Sequence, residues 1–232
     1  MKLFGGIYFD ERGLSTSIRG MHMQTELLSN INNNITGFDK VGFQKEEAVV
    51  SSFAEFIGVH ALSTVKDDTV GRIYSTNNRL DFALADKGYF QYETPNGIKL
   101  TRDGRFKMDK DGHLLTNEGY KVLAADGAPI KFQTVPEDLE LVKVSSDGLI
   151  QAFNRTTNKL ERIASFSVVD KDGQIADKPN VRQGYIESSN VRMEEQMFNL
   201  IPVRRNFEAN RQLFITQNTL LNRTLQELGK TS

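Results

Sequence analysis

The chain has 232 residues, no cysteine, and 29 Lys and Arg against 30 Asp and Glu. That length holds one large domain or two small ones. The missing cysteine excludes disulfides, thiolate metal sites and cysteine nucleophiles, and the balanced charge argues against a strong nonspecific binder of polyanions. Hydrophobic residues make up 38 %. This low share fits an elongated chain, or one that buries surface only on assembly, and a flexible polar monomer gives the same number. No apolar run is long enough to cross a membrane. The opening MKLFGGIYFDERG meets Asp10, Glu11 and Arg12 after a short apolar stretch, with no small-residue cleavage site. No signal peptide is expected there, so a route out of the cytoplasm would use no cleaved leader.

The first periodic segment runs roughly from Leu14 to Ile35. Leu14, Ile18, Met21, Thr25, Leu28, Ile31 or Asn32, and Ile35 step by three and four, as a heptad seam does. Arg19, His22, Glu26 and Asn30 fall on the other face. An Asn-rich end and Gly37 then favour a helix C-terminus and a turn. Ser51–Val59 reads as a short helix or as an extended connector.

The middle reads as β-structure. Short alternating runs are punctuated by Asn96-Gly97, Asp103-Gly104, Asp111-Gly112, Asp126-Gly127, Asp147-Gly148 and Asp172-Gly173. Such pairs suit tight hairpins. The expected strands are Leu80–Leu84, Tyr89–Glu93, Phe106–Met108, Leu114–Thr116, Lys121–Leu123, Leu139–Val144, Leu149–Phe153 and Ile163–Val169.

The last segment runs roughly from Val191 to Leu228. Met197, Leu200 or Ile201, Arg204, Phe207, Arg211, Phe214, Asn218, Leu221, Leu225 and Leu228 step by three and four. Ser189 and Asn190 suit the cap, and Glu194 and Glu195 complement the helix dipole. Pro202 removes a backbone donor, so a kink or break is expected near Phe198–Ile201. Arg204 and Arg211 on the stripe would pair with Glu26, Asp39 or a neighbouring subunit, or else stand in water if Pro202 rotates the stripe.

Catalytic and metal patterns are weak. Asp109, Asp111, Gly112, Leu114 and Glu118 match part of a calcium loop, but Lys107 occupies its first position and the flanks read as strands. A hairpin explains them better. His22, His60 and His113 share no metal-ligand spacing. There is no Gly-x-Ser-x-Gly elbow, no phosphate-binding glycine loop and no paired-carboxylate motif. No enzyme activity, catalytic residue, metal or cofactor is therefore expected.

Asn33-Asn34-Ile35-Thr36-Gly37, continuing to Gly42-Phe43-Gln44-Lys45, resembles the signature that follows the first helix in bacterial flagellar rod and hook proteins. Asn33, Asn34, Gly42 and Phe43 match it; Gly37 stands where that pattern has a third Asn, and Lys40 where it has Thr. Gly20-Met21 is similar to the family's Gly-Met. Leu80-Asp81-Phe82-Ala83-Leu84, Gly88-Tyr89-Phe90 and Thr101-Arg102-Asp103-Gly104-Arg105-Phe106 resemble its next segments. Gly184-Tyr185-Ile186-Glu187-Ser188-Ser189-Asn190-Val191 resembles its entry to the last helix, and Arg205-Asn206-Phe207-Glu208-Ala209-Asn210 the core of that helix. The motif positions are thus Asn33, Asn34, Gly42, Phe43, Gly184, Glu187, Ser189, Asn190, Arg205 and Glu208.

The resemblance implies an α+β fold. N- and C-terminal helices would pair as a coiled-coil-like element beside a central, mainly antiparallel β body. With the periodicity and hairpin spacing, the expected division is a helix and motif (1–44), a connector (45–74), a β domain (75–186) and a second helix (187–232). The resemblance also implies a structural rod subunit in the flagellar basal body, of proximal rather than distal type, serving motility. The partners implied are copies of itself, other flagellar axial proteins and the flagellar type III export apparatus, with no nucleic acid and no membrane insertion. Leu14, Ile18, Met21, Leu28, Ile35, Met197, Leu200, Ile201, Phe207, Phe214, Leu221, Leu225 and Leu228 would form the subunit interfaces. The termini are expected to order on assembly. Phe43 would anchor the exit of the first helix, with Gly42 allowing the turn. The alternatives are a hook or hook-junction protein of the same family, and a β-domain binding module with helical oligomerisation ends.

Overall fold

The computed structural model describes residues 3–50, 62–132, 135, 139–154, 159–176 and 179–230. Ser51–Val59 and His60 lie outside them. Helix α1 spans Leu3–Gly37 and helix α2 spans Met193–Lys230. The chain divides into two compact units: Met1–Thr36 with Glu46–Asp67 and Arg192–Ser232, and Gly37–Lys45 with Asp68–Val191.

The first unit is helical. α1 begins well before Leu14, because the opening residues continue the same helix. A Cβ on Gly13 would meet Gln217, one on Gly20 would meet Asn210, and Asn34 donates to Gln196. Gly13, Gly20 and Asn34 ascend by heptads while Gln217, Asn210 and Gln196 descend by heptads. α1 and α2 therefore run antiparallel in one unbroken register. Strands β1 (Glu46–Val50) and β2 (Leu62–Lys66) add an antiparallel pair, with Glu46 opposite Lys66 and Ala48 opposite Thr64. The span expected as a connector thus carries strands, which were hard to read because Ser63, Thr64, Val65 and Lys66 are all exposed and leave no hydrophobic alternation.

α2 continues without a break through Pro202. Proline takes away the N–H that would bond the Phe198 carbonyl. Pro202 is exposed and Phe198 is 73 % exposed, so water reaches this turn and the predicted break is avoided.

The second unit is the β body, and among the described residues its strands pair antiparallel. The largest sheet has β5 (Tyr89–Thr94) near its centre, flanked by β6 (Gly97–Thr101), β13 (Val168–Val169) and β9 (Lys121–Val122). β8 (Leu114–Leu115) and β7 (Lys107–Met108) extend it. β10 (Val142–Val144), β11 (Leu149–Asn154) and β12 (Lys159–Ser165) form a three-stranded sheet. β14 (Val181–Gln183) pairs with β4 (Phe82–Leu84), and β15 (Tyr185–Glu187) with β3 (Ile73–Ser75). Leu139–Leu141, expected as strand, is a 3-10 turn. The core gathers Phe82, Phe90, Phe106 and Phe166, whose rings meet edge-on or tilted at 4.9–6.0 Å between centroids.

All but one of the predicted turn glycines adopt positive φ. Gly104 is the exception. Its side-chain position lies 1.8 Å from the Phe82 carbonyl oxygen, so Asp103-Gly104 marks a close backbone approach rather than a tight hairpin.

Candidate assembly site

The seam of the helical unit follows from the register. On α1 it runs Gly13, Ser17, Gly20, Gln24, Leu27, Ile31 and Asn34, all at least partly buried. On α2 it runs Gln196, Leu200, Val203, Phe207, Asn210, Phe214, Gln217 and Leu221. The α1 seam thus lies one residue before the apolar stripe. Leu14, Met21, Leu28 and Ile35 flank it half-buried, and Ile18 is 40 % exposed. Leu200, Phe207, Phe214 and Leu221 lie in the α2 seam, whereas Met197 and Ile201 are exposed at 49 and 52 %. Leu225 is also exposed, and the Leu228 side chain is outside the described ones. Arg204 and Arg211 fall outside the seam on exposed positions. Arg211 lies 3.7 Å from Glu208 on its own helix, rather than pairing with Glu26 or Asp39. Arg205 and Glu208 are exposed on the same helix.

Asn34 closes the seam. It is 1 % exposed. Its Oδ1 accepts the Glu46 N–H at 2.8 Å, its Nδ2 donates to the Glu46 carbonyl at 2.8 Å, and Nδ2 also reaches Gln196 Oε1 at 3.3 Å. The carboxamide imitates a neighbouring strand, so one side chain ties α1, β1 and α2 together. Asn33, its neighbour, is exposed.

A second clasp lies within the body. Arg102 Nε donates to Glu187 Oε2 at 2.6 Å, with side chains 1 and 3 % exposed. Arg102 Nη1 donates to the Gly88 carbonyl at 2.7 Å, and Nη2 to those of Leu84 and Asp86 at 3.2 Å. Glu187 Oε1 accepts the Gly71 N–H at 2.7 Å. Backbone bonds surround the pair: Gly42 N–H to the Glu187 carbonyl at 2.8 Å, and Asn190 N–H to the Phe43 carbonyl at 3.3 Å. The Lys45 N–H donates to Asn190 Oδ1 at 2.6 Å, and Asn190 Nδ2 donates to the Thr69 carbonyl at 2.9 Å. Gly42 has φ +67°, and a side chain there would fall 2.5 Å from the Arg102 carbonyl carbon. Phe43 lays its ring where a Gly37 Cβ would sit, with Cε1 2.3 Å from that position. Glycine at 37 leaves the space that this ring fills. Gly184 adopts φ +79° between β14 and β15, and Ser189 Oγ accepts the Val191 N–H at 3.2 Å.

Nearby, Tyr89 donates its hydroxyl to Gln44 Oε1 at 2.8 Å and lies 3.2 Å from Asp68 Oδ1. Burial pushes its pKa up. The calcium-like segment is a turn. Asp109 accepts the N–H groups of Asp111 and His113 at 3.0 and 2.7 Å, and His113 Nδ1 lies 3.2 Å from its other oxygen. These bonds, led by that from the His113 N–H, hold the Asp109 carboxyl below its usual range. Glu118 is exposed.

Two family models match. The flagellar hook protein FlgE/F/G D1 domain covers residues 83–152, and the C-terminal model of the flagellar basal body rod FlgEFG proteins covers residues 182–227. The chain belongs to the flagellar rod and hook protein family. The Arg102–Glu187 bridge joins the two matched segments. The flagellar basal-body rod protein FlgG of Bacillus subtilis is 26 % identical over 90 % of this chain and 96 % of its own length. The rod protein FlgF of Rhizobium meliloti is 26 % identical over 94 and 98 %. FlgF of Mesorhizobium japonicum is 28 % identical over 87 and 89 %. These relatives carry the name of basal-body rod proteins, which supports a basal-body location, and among the described residues no helix is long and apolar enough to cross a membrane.

Sequence reasoning did not assign a role to Arg102, Gln196, Asn210 or Gln217. Arg102 stood inside a quoted motif, but nothing local shows that its partner lies 85 residues away. The α2 amides were hidden because a hydropathy stripe gives no weight to polar residues.

Proposed function

We propose that this chain is a non-enzymatic structural subunit of the flagellar basal-body rod, built into the axial shaft through its paired terminal helices. The observation that carries this reading is the apolar surface remaining outside the α1–α2 seam: Ile18, Met197, Phe198, Ile201 and Leu225 at 40–73 % exposure. Large apolar side chains left in water on both helices are what an assembly contact would cover. Each large apolar side chain withdrawn from water adds about 1.5–3 kcal/mol. Copies of the chain and other axial proteins are the partners that would cover it, after passage through the flagellar export apparatus. The relatives that carry rod names support a rod position, and the proximal type remains our choice. The family model that carries the hook name supports a hook-junction position as the second reading.

The test places Ile18→Glu and Ile201→Glu, singly, in the full chain. Neither residue belongs to the seam, so the monomer keeps its helix content by circular dichroism. Incorporation into isolated basal bodies and swimming are both expected to fall. Wild-type incorporation of both variants would overturn the assembly role, and labelling in purified rod or hook fractions separates the two positions.

A further inference from the structure

We propose that four heptad layers of the α1–α2 seam form a pairing code: Gly13, Gly20, Leu27 and Asn34 on α1, read against Gln217, Asn210, Val203 and Gln196 on α2. The code admits an antiparallel α1–α2 pair in one register and rejects α1 with α1 or α2 with α2. Its partner is the α2 helix of the same chain.

The glycines are holes and the amides are knobs. The Cβ position of Gly20 lies 2.7 Å from Asn210 Nδ2, 2.9 Å from its Cγ and 3.1 Å from its Oδ1. The whole carboxamide therefore occupies the space a side chain would take. At Gly13 the Cβ position lies 2.3 Å from Gln217 Nε2. Glycine inside a helix disfavours that helix in isolation, so these residues are explained by what packs on them. An α1–α1 pair would bring hole against hole and lose contacts. An α2–α2 pair would crowd amides together, where Gln217 Oε1 is already buried without a partner.

Slippage is excluded at the remaining layers. Shifted by a heptad one way, the seam would set Asn210 against Leu27 and Asn34 against Val203, breaking the Asn34–Gln196 bond. Shifted the other way, Gln196 would face Leu27 and Asn34 would run past the start of α2 at Met193. A buried polar residue setting register is the best-attested use of such groups in coiled coils. This reading holds whether or not the chain is a rod subunit.

The chain has no cysteine, so paired cysteines report register in the full-length protein. Ile31→Cys with Leu200→Cys reports the native register, and Ile31→Cys with Phe207→Cys reports the slipped one. The native pair is expected to cross-link within one chain and the slipped pair not to. Gly20→Leu, which fills the hole, should slow native cross-linking by about tenfold and shift it to slipped or interchain products. The swap Gly20→Asn with Asn210→Gly should restore the native product. Unchanged native cross-linking in Gly20→Leu would overturn the code. Failure of the swap to restore it would also overturn the code, even if Gly20→Leu merely unfolds the helices. Neither result depends on incorporation into basal bodies.

Discussion

Arg102 and Glu187 meet at 2.6 Å with both side chains almost fully withdrawn from solvent. Arg102 arrives just after β6 and Glu187 ends β15. Removing one partner leaves a buried, uncompensated charge, which costs about 3–5 kcal/mol. Arg102→Met should lower the body's unfolding free energy by about that amount in denaturant titration. Adding Glu187→Leu should recover only part, because the Gly88 carbonyl and the Gly71 N–H still lose their partners. A double variant as stable as the parent would show that the ion pair alone mattered.

Asn34→Asp keeps the acceptor for the Glu46 N–H and loses the donor to the Glu46 carbonyl and to Gln196. Asn34→Ala loses all three. Stability should fall by about 1–3 kcal/mol, more for Asp, whose charge is buried. Hydrogen exchange at the Glu46 amide should accelerate in both variants, since both lower the stability of the unit that protects it.

Gln24 Oε1 is buried without a hydrogen-bond partner. Gln24→Leu removes that unmet acceptor and adds apolar volume to the seam. The helical unit should gain about 1–2 kcal/mol, read as a higher melting temperature by circular dichroism at 222 nm. A loss of stability would indicate that the site cannot take the branched side chain.

Pro202→Ala restores an N–H for the Phe198 carbonyl in a helix that already runs through this position. The exposed site leaves little packing to lose. Proline costs a helix interior up to about 3 kcal/mol relative to alanine, so α2 should gain stability. Amide exchange across 198–206 should slow. No change would mean that the turn has already adapted fully to proline.

Burial holds the Tyr89 pKa above its ordinary value, so the neutral phenol is favoured by folding. The sign is that of a raised group: the contribution is complete below about pH 10 and is lost as pH rises through the folded-state value. Burial raises Tyr92 as well, so ultraviolet titration should show two late-ionising tyrosines, of which Tyr89→Phe removes one. The body of Tyr89→Phe should also lose less stability on going from neutral to alkaline pH than the parent does.

Much of the β body was legible because its strands alternate between core and water and its turns need positive φ. Phe90, Leu114, Val122 and Ile150 are buried positions of runs read as strands. β6 was missed although Ile98 and Leu100 alternate with Lys99 and Thr101, because the run is short and lies between two turn pairs; its apolar side chains are exposed rather than in the core. On α1 the periodicity was right and its phase was off by one residue. Leu14, Ile18, Met21, Leu28 and Ile35 outweigh Gly13, Ser17, Gly20, Gln24 and Asn34 on any hydropathy scale, yet the second set faces α2. Close helix approach favours small side chains over oily ones, and that preference is invisible to a hydrophobic stripe. The α2 arginines looked awkward for the same reason: the apolar stripe and the seam diverge there.

The lacing of Gly42, Phe43 and Lys45 to Glu187 and Asn190 also bears on the order in which the chain folds. α1 is synthesised first, and its partner α2 comes last, with the whole body between them. Pairing the helices before the body forms would close a very long loop, whose entropy opposes it. Once the body has formed, the exit from α1 and the approach to α2 lie side by side, and the helices zip from a short closure. Loop entropy therefore favours forming the body before the two helices pair.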